Sequence, residues 1–98
     1  MKQPEDCQNM QDIRDAIDSL DRDIIDKFGR RFTYVKAAAK FKNSKEEVKA
    51  EERFKKMLQQ RRLWAAKNNL NPDIIEKLYR DLVDHFINEE LQHWQQDR

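Results

Sequence analysis

Glycine and proline are scarce in this chain of 98 residues, which has one Gly and two Pro. Many-stranded folds depend on these residues for their turns, so the scarcity argues against a sandwich or a barrel. Cysteine is equally scarce, because Cys7 stands alone. A single cysteine excludes an intrachain disulfide and a cysteine-rich zinc site.

Long apolar runs are also missing, since the longest covers only residues 63–66. No segment is therefore expected to span a membrane, and none resembles a signal peptide. The charges are balanced, with 20 Lys+Arg against 19 Asp+Glu, whereas a chain that binds nucleic acid through its overall charge is far more basic. Aromatic residues are too frequent for a disordered tail. We expect a soluble, cytoplasmic, all-α protein.

Three helices are predicted from the spacing of the apolar residues. The first covers about 9–41, the second about 50–68 and the third about 72–96, each with apolar residues three or four positions apart. The polar, lysine-rich segment at about 42–49 is expected to be a mobile connection. The whole chain, 1–98, is interpreted as a single helical domain.

Capping residues support these helix limits. Asn9 or Asp12 is suited to cap the first helix, and Asn71 before a proline is suited to begin the third. Ser44 and Glu47 have the spacing of a capping box, so the connecting segment is expected to be partly helical.

The length of the first helix predicts a second copy of the chain. About 33 residues make a helix roughly 50 Å long at 1.5 Å per residue. A compact domain of this size has a radius of gyration of about 13 Å, so the rest of the chain is too small to cover such a helix. We therefore expect an interlocked homodimer.

Several cations of the first helix lie on its apolar side. Arg31 falls about 20° from Ile24 around the helix, and Arg14 lies at the edge of the stripe at the angle of Phe32. If the helix continues to Lys42, that residue takes nearly the same angle as Ile24. The cations are therefore expected to point toward the core.

One carboxylate lies within an apolar face. Glu90 falls about 20° from Tyr79 and from Val83 on the third helix. A buried charge is normally paired or functional, so two interpretations stay open. One is a structural ion-pair network, for example of Glu90 with Arg31; the other is a polar pocket inside a helical bundle. Cations outnumber the carboxylate, so such a pocket would prefer an anion, and a ligand with two or more carboxylates would fit it.

Short segments carry a resemblance to the all-helical chorismate mutase family. Within it, the chain is most similar to the isochorismate-pyruvate lyases of bacterial salicylate and siderophore synthesis. The segments are Met1-Lys2-x-Pro4-Glu5-Asp6-Cys7, Asp12-Ile13-Arg14-x-Ala16-Ile17-Asp18, Gly29-Arg30-Arg31, Tyr34-Val35-Lys36-Ala37-Ala38, Phe41-Lys42, Glu52-Arg53 and the run from Glu89 to Trp94.

The resemblance implies an intertwined dimer of three-helix chains with two equivalent sites. Each site would take Arg31, Lys42, Arg53 and Glu90 from one chain and Arg14 from the other. The family uses no metal and no organic cofactor. The long first helix predicts a dimer independently of this resemblance.

The implied reaction splits isochorismate into salicylate and pyruvate. In the pericyclic route, a hydrogen moves from the ring to the enolpyruvyl methylene as the carbon–oxygen bond breaks, and no nucleophile is needed. Arg14 and Arg31 would bind carboxylates through their guanidinium forks. Lys42 would reach a carboxylate or the ether oxygen, and Val35 and Ile87 would line the substrate.

Position 54 favours the lyase over the mutase. Mutases of this family usually carry a carboxylate just after the residue that corresponds to Arg53, and it binds the ring hydroxyl of chorismate. Phe54 occupies that position here. A chorismate mutase is the alternative, and weak mutase activity is expected in any case. A non-catalytic helical dimer is the third interpretation.

Glu90 departs from the lyase pattern, in which Gln stands at this position, whereas some mutases carry Glu. Gln donates a hydrogen bond at any pH, but Glu donates only when it is protonated. We hypothesise that Glu90 must be protonated, so that activity rises toward acidic pH. Alternatively, Glu90 neutralises an extra cation, and the chain is a poor lyase or has an altered function.

Overall fold

The computed structural model describes residues 2–96, so Met1 of the opening motif and the end of the predicted 1–98 domain lie outside the described residues. The regular structure of the described part is all helical, without a strand, which confirms the all-α class. The helices are α1 (Met10–Ala38), α2 (Lys45–Lys49), α3 (Glu51–Lys67) and α4 (Pro72–Gln96), with short 3₁₀ turns at Pro4–Asp6 and Ala39–Phe41.

The start of α1 is capped by Asn9, one of the two alternatives that the sequence offers. Asn9 Oδ1 accepts the backbone N–H of Asp12 at 2.8 Å. The Asp12 carboxylate in turn accepts the backbone N–H of Gln8 at 3.1 Å and the ammonium of Lys2 at 3.0 Å. The Gln8 bond first, and then Lys2, lower the pKa of Asp12. These bonds attach the N-terminal segment to the helix that follows it.

The α-helical part of the first helix ends earlier than the predicted 41. The helix ends at Ala38, and the chain passes through the tighter turn Ala39–Phe41 to Lys42, whose φ of −106° and ψ of 137° are extended. The angle predicted for Lys42 assumed a helix that continues to that residue, and this condition is not met. Lys42 is therefore oriented by other contacts.

The connection between the long helices contains the short helix α2. Ser44 Oγ accepts the backbone N–H of Glu47 at 3.2 Å, and Glu47 Oε2 accepts that of Asn43 at 2.7 Å, which confirms the capping box and the partly helical segment. Val48 is 1% exposed. Ala50, with a left-handed φ of 46°, separates α2 from α3. The mobility of this segment stays a prediction.

The turn between α3 and α4 uses asparagine at both of its ends. Asn69 adopts a left-handed φ of 61°, and the backbone N–H of Leu70 returns to the carbonyl of Ala65 at 2.9 Å. Such a bond ends a helix by satisfying one of its last carbonyls. Asn71 Oδ1 accepts the backbone N–H of Asp73 at 2.8 Å and caps α4.

Two compact units divide the chain, one up to Tyr34 and one from Val35 onward. In the second unit, α4 packs against α3, against α2 and against the turn Ala39–Phe41. Its core is formed by apolar side chains of α3 and α4: Met57, Leu58 and Val83, with Phe54, Tyr79 and Ile87 packed around them. The helix α4 is thus the element on which the rest of this unit is assembled.

The first unit contains most of α1, a helix in which no residue is buried. Its apolar stripe is half exposed, with Ile17, Leu20 and Ile24 at 51%, 47% and 49%. None of the helices within residues 2–96 combines the length and apolar character that crossing a membrane requires.

Candidate active site

Lys42 lies where the chain leaves the turn Ala39–Phe41, and its side chain reaches α4. Its ammonium Nζ is 2.8 Å from Glu90 Oε1 and 3.5 Å from the backbone carbonyl oxygen of Val48. The side chain is 22% exposed, so it is partly shielded from solvent. Contacts from two separate elements, α2 and α4, therefore define where the charged group of Lys42 lies.

Glu90 is buried within α4, as its place in the apolar face predicts. The residue is 2% exposed and is the buried charged residue in the described part of the chain. A carboxylate at this depth is costly unless a cation and hydrogen bonds compensate it, and Lys42 supplies both. The contact fits the alternative hypothesis for Glu90, in which its carboxylate neutralises a cation.

Trp94 contacts the backbone of the same lysine. Its indole Nε1 donates to the carbonyl oxygen of Lys42 at 3.0 Å, across 52 positions of sequence. Glu90 and Trp94 are four residues apart on α4, so they share one face of the helix. Both ends of Lys42, the backbone and the ammonium, are thus held by the same face of α4.

The arginines predicted for the site lie on two helices. Arg14 and Arg31 are on α1, within the first unit; Arg14 is exposed and Arg31 is half-buried. Arg53 is exposed in the first turn of α3 and lines a surface cleft of about 530 Å³ together with Lys49 and Glu52. The guanidinium groups of Arg14 and Arg53 are thus exposed, and the cleft at Arg53 is also lined by Glu46 and Glu51.

The predicted apolar lining residues lie in the second unit. Val35 is half-buried at the start of this unit. Ile87 lines a groove of about 660 Å³ between α3 and α4, with Phe54, Leu58 and Leu91 as its other apolar residues. Phe54 also packs against the core, and the guanidinium of Arg80 lies 5.8 Å from the centre of its ring.

Metal ligation has no support in the part of the chain that the structure describes. Across residues 2–96, no group of three or more His, Cys, Asp and Glu side chains is arranged to hold a metal ion. His85 instead contacts Glu89 one turn along α4, at 2.7 Å.

The comparison with known proteins shows the family of this chain. The sequence profile of chorismate mutase type II matches residues 13–91, and the chain belongs to this family. It is 44% identical over 98 residues to the isochorismate pyruvate lyase of Pseudomonas aeruginosa, an alignment that covers all of this chain and 97% of that protein. It is also 38% identical over 82 residues to the T-protein of Haemophilus influenzae, covering 82% of this chain and 22% of that protein. The resemblance inferred from the short segments is confirmed.

The sequence suggests Arg31 as an example of a partner for Glu90, whereas the structure pairs Glu90 with Lys42. Two further contacts of Lys42 were also not predicted from the sequence. Val48 lies in the segment predicted as a mobile connection, and its backbone carbonyl faces the ammonium of Lys42. Trp94 lies in the helix predicted at about 72–96, and its indole N–H binds the Lys42 backbone. A signal for the second contact was present, since Trp94 follows Glu90 by one helical turn on the same face.

Removing the cation of the buried pair is expected to destabilise the protein. Lys42→Met leaves the Glu90 carboxylate buried without its ammonium, so we expect the free energy of unfolding to fall by roughly 1–3 kcal/mol. Urea denaturation at pH 7 measures this change. Adding Glu90→Leu to Lys42→Met should recover most of the loss, because both charges are then absent. The exposed Lys45→Met is the control, and an equal loss in that variant would contradict the assignment.

Proposed function

We propose that this chain is an isochorismate-pyruvate lyase that converts isochorismate to salicylate and pyruvate. The observation that carries the proposal is 44% identity, over the full length, to a protein of that name. The small molecule it would bind carries two carboxylates, which suits the cations Arg14, Arg31, Lys42 and Arg53. In keeping with the family branch it resembles, we further propose that its salicylate serves siderophore synthesis in the cytoplasm.

The proposed chemistry needs binding and electrostatics rather than a nucleophile. Arg14 and Arg31 would hold the two carboxylates and keep the enolpyruvyl arm over the ring, so that the hydrogen is transferred as the ether bond breaks. Lys42 would stabilise the negative charge that develops on the ether oxygen. The position of its ammonium beside Glu90 supports this role, because the group is oriented before substrate arrives.

Salicylate formation tests the function directly. Salicylate is fluorescent, so its appearance after addition of isochorismate gives a continuous assay. We expect enzyme-dependent salicylate formation, together with a slower conversion of chorismate to prephenate. Prephenate as the sole product would instead favour chorismate mutase, the alternative that Glu90 and the family profile support. If neither product forms, the non-catalytic helical dimer is the interpretation that remains.

The proposed enzyme is an intertwined homodimer in which Arg14 enters the site of the other chain. The exposed stripe of α1, which contains Ile17, Leu20 and Ile24, supports a second copy as its cover. At 29 residues, α1 is about 44 Å long, more than a single chain of this size covers.

Mixed dimers test this shared site. Arg14→Ala and Lys42→Ala should each be nearly inactive, yet a mixture that is unfolded and refolded together should recover about a quarter of wild-type activity. Half of its dimers are mixed, and each mixed dimer has one intact site.

The matched control replaces Arg14→Ala by Arg31→Ala in the mixture. Arg31 and Lys42 are proposed to come from the same chain, so every site of these mixed dimers lacks one of them and no activity should return. Recovery in both mixtures, or in neither, would refute the exchange of Arg14 between chains.

The pH profile tests the role of Glu90. Under the protonation hypothesis from the sequence, Glu90 would donate a hydrogen bond to the substrate. Activity should therefore rise as the pH is lowered from 8 to 5, and Glu90→Gln, which donates at every pH, should flatten the profile. The assay is kcat/KM for salicylate formation, with Glu89→Gln as the control on the same helix. An unchanged profile in Glu90→Gln would refute the protonation hypothesis.

A further inference from the structure

The backbone of Lys42 is fixed by a side chain that lies far away in the sequence. Lys42 ends the turn Ala39–Phe41, where its own N–H donates to the carbonyl of Ala39 at 3.2 Å. Its φ and ψ are extended, so its carbonyl points away from the helical direction that precedes it. The indole N–H of Trp94 donates to this carbonyl at 3.0 Å in a partly buried bond.

Fixing the peptide carbonyl restricts the backbone conformation at Lys42, and this conformation sets the direction in which the side chain leaves the backbone. A lysine side chain has several rotatable bonds and occupies many rotamers when one end is loose. Here Trp94 holds the backbone end, while Glu90 and the carbonyl of Val48 contact the ammonium end. Trp94 and Glu90 are one turn apart on α4, so a single rigid helix sets the distance between the two anchors.

We propose that Trp94 is a positioning residue for Lys42: its indole N–H holds the backbone from which the catalytic ammonium extends. The inference rests on the proposed lyase function and deepens it. We assign Trp94 no contact with the substrate. Its contribution is to keep the ammonium of Lys42 within reach of the developing charge, where a small displacement lowers the rate.

The first experiment removes the indole N–H and keeps an aromatic ring. Trp94→Phe should lower kcat for salicylate formation by roughly three- to tenfold, the rate equivalent of about one net hydrogen bond, with a smaller change in KM. Trp64→Phe is the matched control, because Trp64 lies on α3, is 47% exposed and contacts Arg61 through its ring. The control should keep the wild-type kcat.

A double-mutant cycle separates positioning from general support of the fold. If Trp94 acts through Lys42, Trp94→Phe should lower kcat in the wild-type background and have no further effect in Lys42→Ala. Measurement at high enzyme concentration makes the low Lys42→Ala rate accessible. An equal fold-loss in both backgrounds would overturn the inference, because it would show that Trp94 acts independently of the lysine.

An isosteric replacement guards against misfolding of Trp94→Phe. Benzothienylalanine at position 94 keeps the size and shape of the indole and replaces the N–H by sulfur. With thermal unfolding unchanged, it should reproduce the fall in kcat, and a wild-type kcat would overturn the inference. Wild-type activity is the reference: absence of salicylate there overturns the proposed function, whereas its presence with an unaffected position-94 variant overturns the role of Trp94 alone.

Discussion

A carboxylate buried in the apolar face of a helix requires a cation nearby, and this requirement organises the second unit of the protein. Glu90 is 2% exposed, and the ammonium of Lys42 lies 2.8 Å away. The pair joins the residue that follows the turn Ala39–Phe41 to the C-terminal half of α4, across 48 positions of sequence. An unpaired buried charge is unfavourable, so the burial of Glu90 favours the position of the Lys42 ammonium beside it.

The same pair explains how a lysine from a connecting segment acquires a defined position. Lysine side chains lose considerable entropy when they are ordered, so a precise ammonium requires several contacts. Here α4 supplies Glu90 and Trp94, and α2 supplies the carbonyl of Val48. Val48 is itself buried, which keeps that carbonyl in place. The cation that the proposed reaction needs is thus oriented by the packing of helices rather than by the substrate alone.

The helices and their caps were predictable because they depend on local sequence. Asn9, Ser44 and Asn71 cap helices through bonds to residues two or three positions away, and apolar spacing alone placed Glu90 on the buried side of α4. The contacts of Lys42 were not predictable in this way. They depend on the change to a 3₁₀ turn at Ala39 and on a bond across 52 positions, neither of which leaves a periodic signal.

Apolar spacing identified the face of α4 but not what that face does. The spacing of Trp94 fits the apolar face of α4, so it is expected to be a core residue. Hydrophobic periodicity carries no signal for the hydrogen bond that its indole N–H donates. The lyase assignment depends on comparison with known sequences, since a cationic pocket for a dicarboxylate fits several ligands. Position 54 then favours the lyase over the mutase. Mutases usually carry a carboxylate at this position, whereas this chain carries Phe54, which packs against the core.

A crystal structure with salicylate and pyruvate bound would test whether α4 holds Lys42 in place for a dicarboxylate substrate. We expect the ammonium of Lys42 within hydrogen-bonding distance of a ligand oxygen, with the indole N–H of Trp94 still bound to the Lys42 carbonyl. Arg14 of the second chain should contact the same ligand. Ligand density away from Lys42, or a site completed by a single chain, would refute this arrangement.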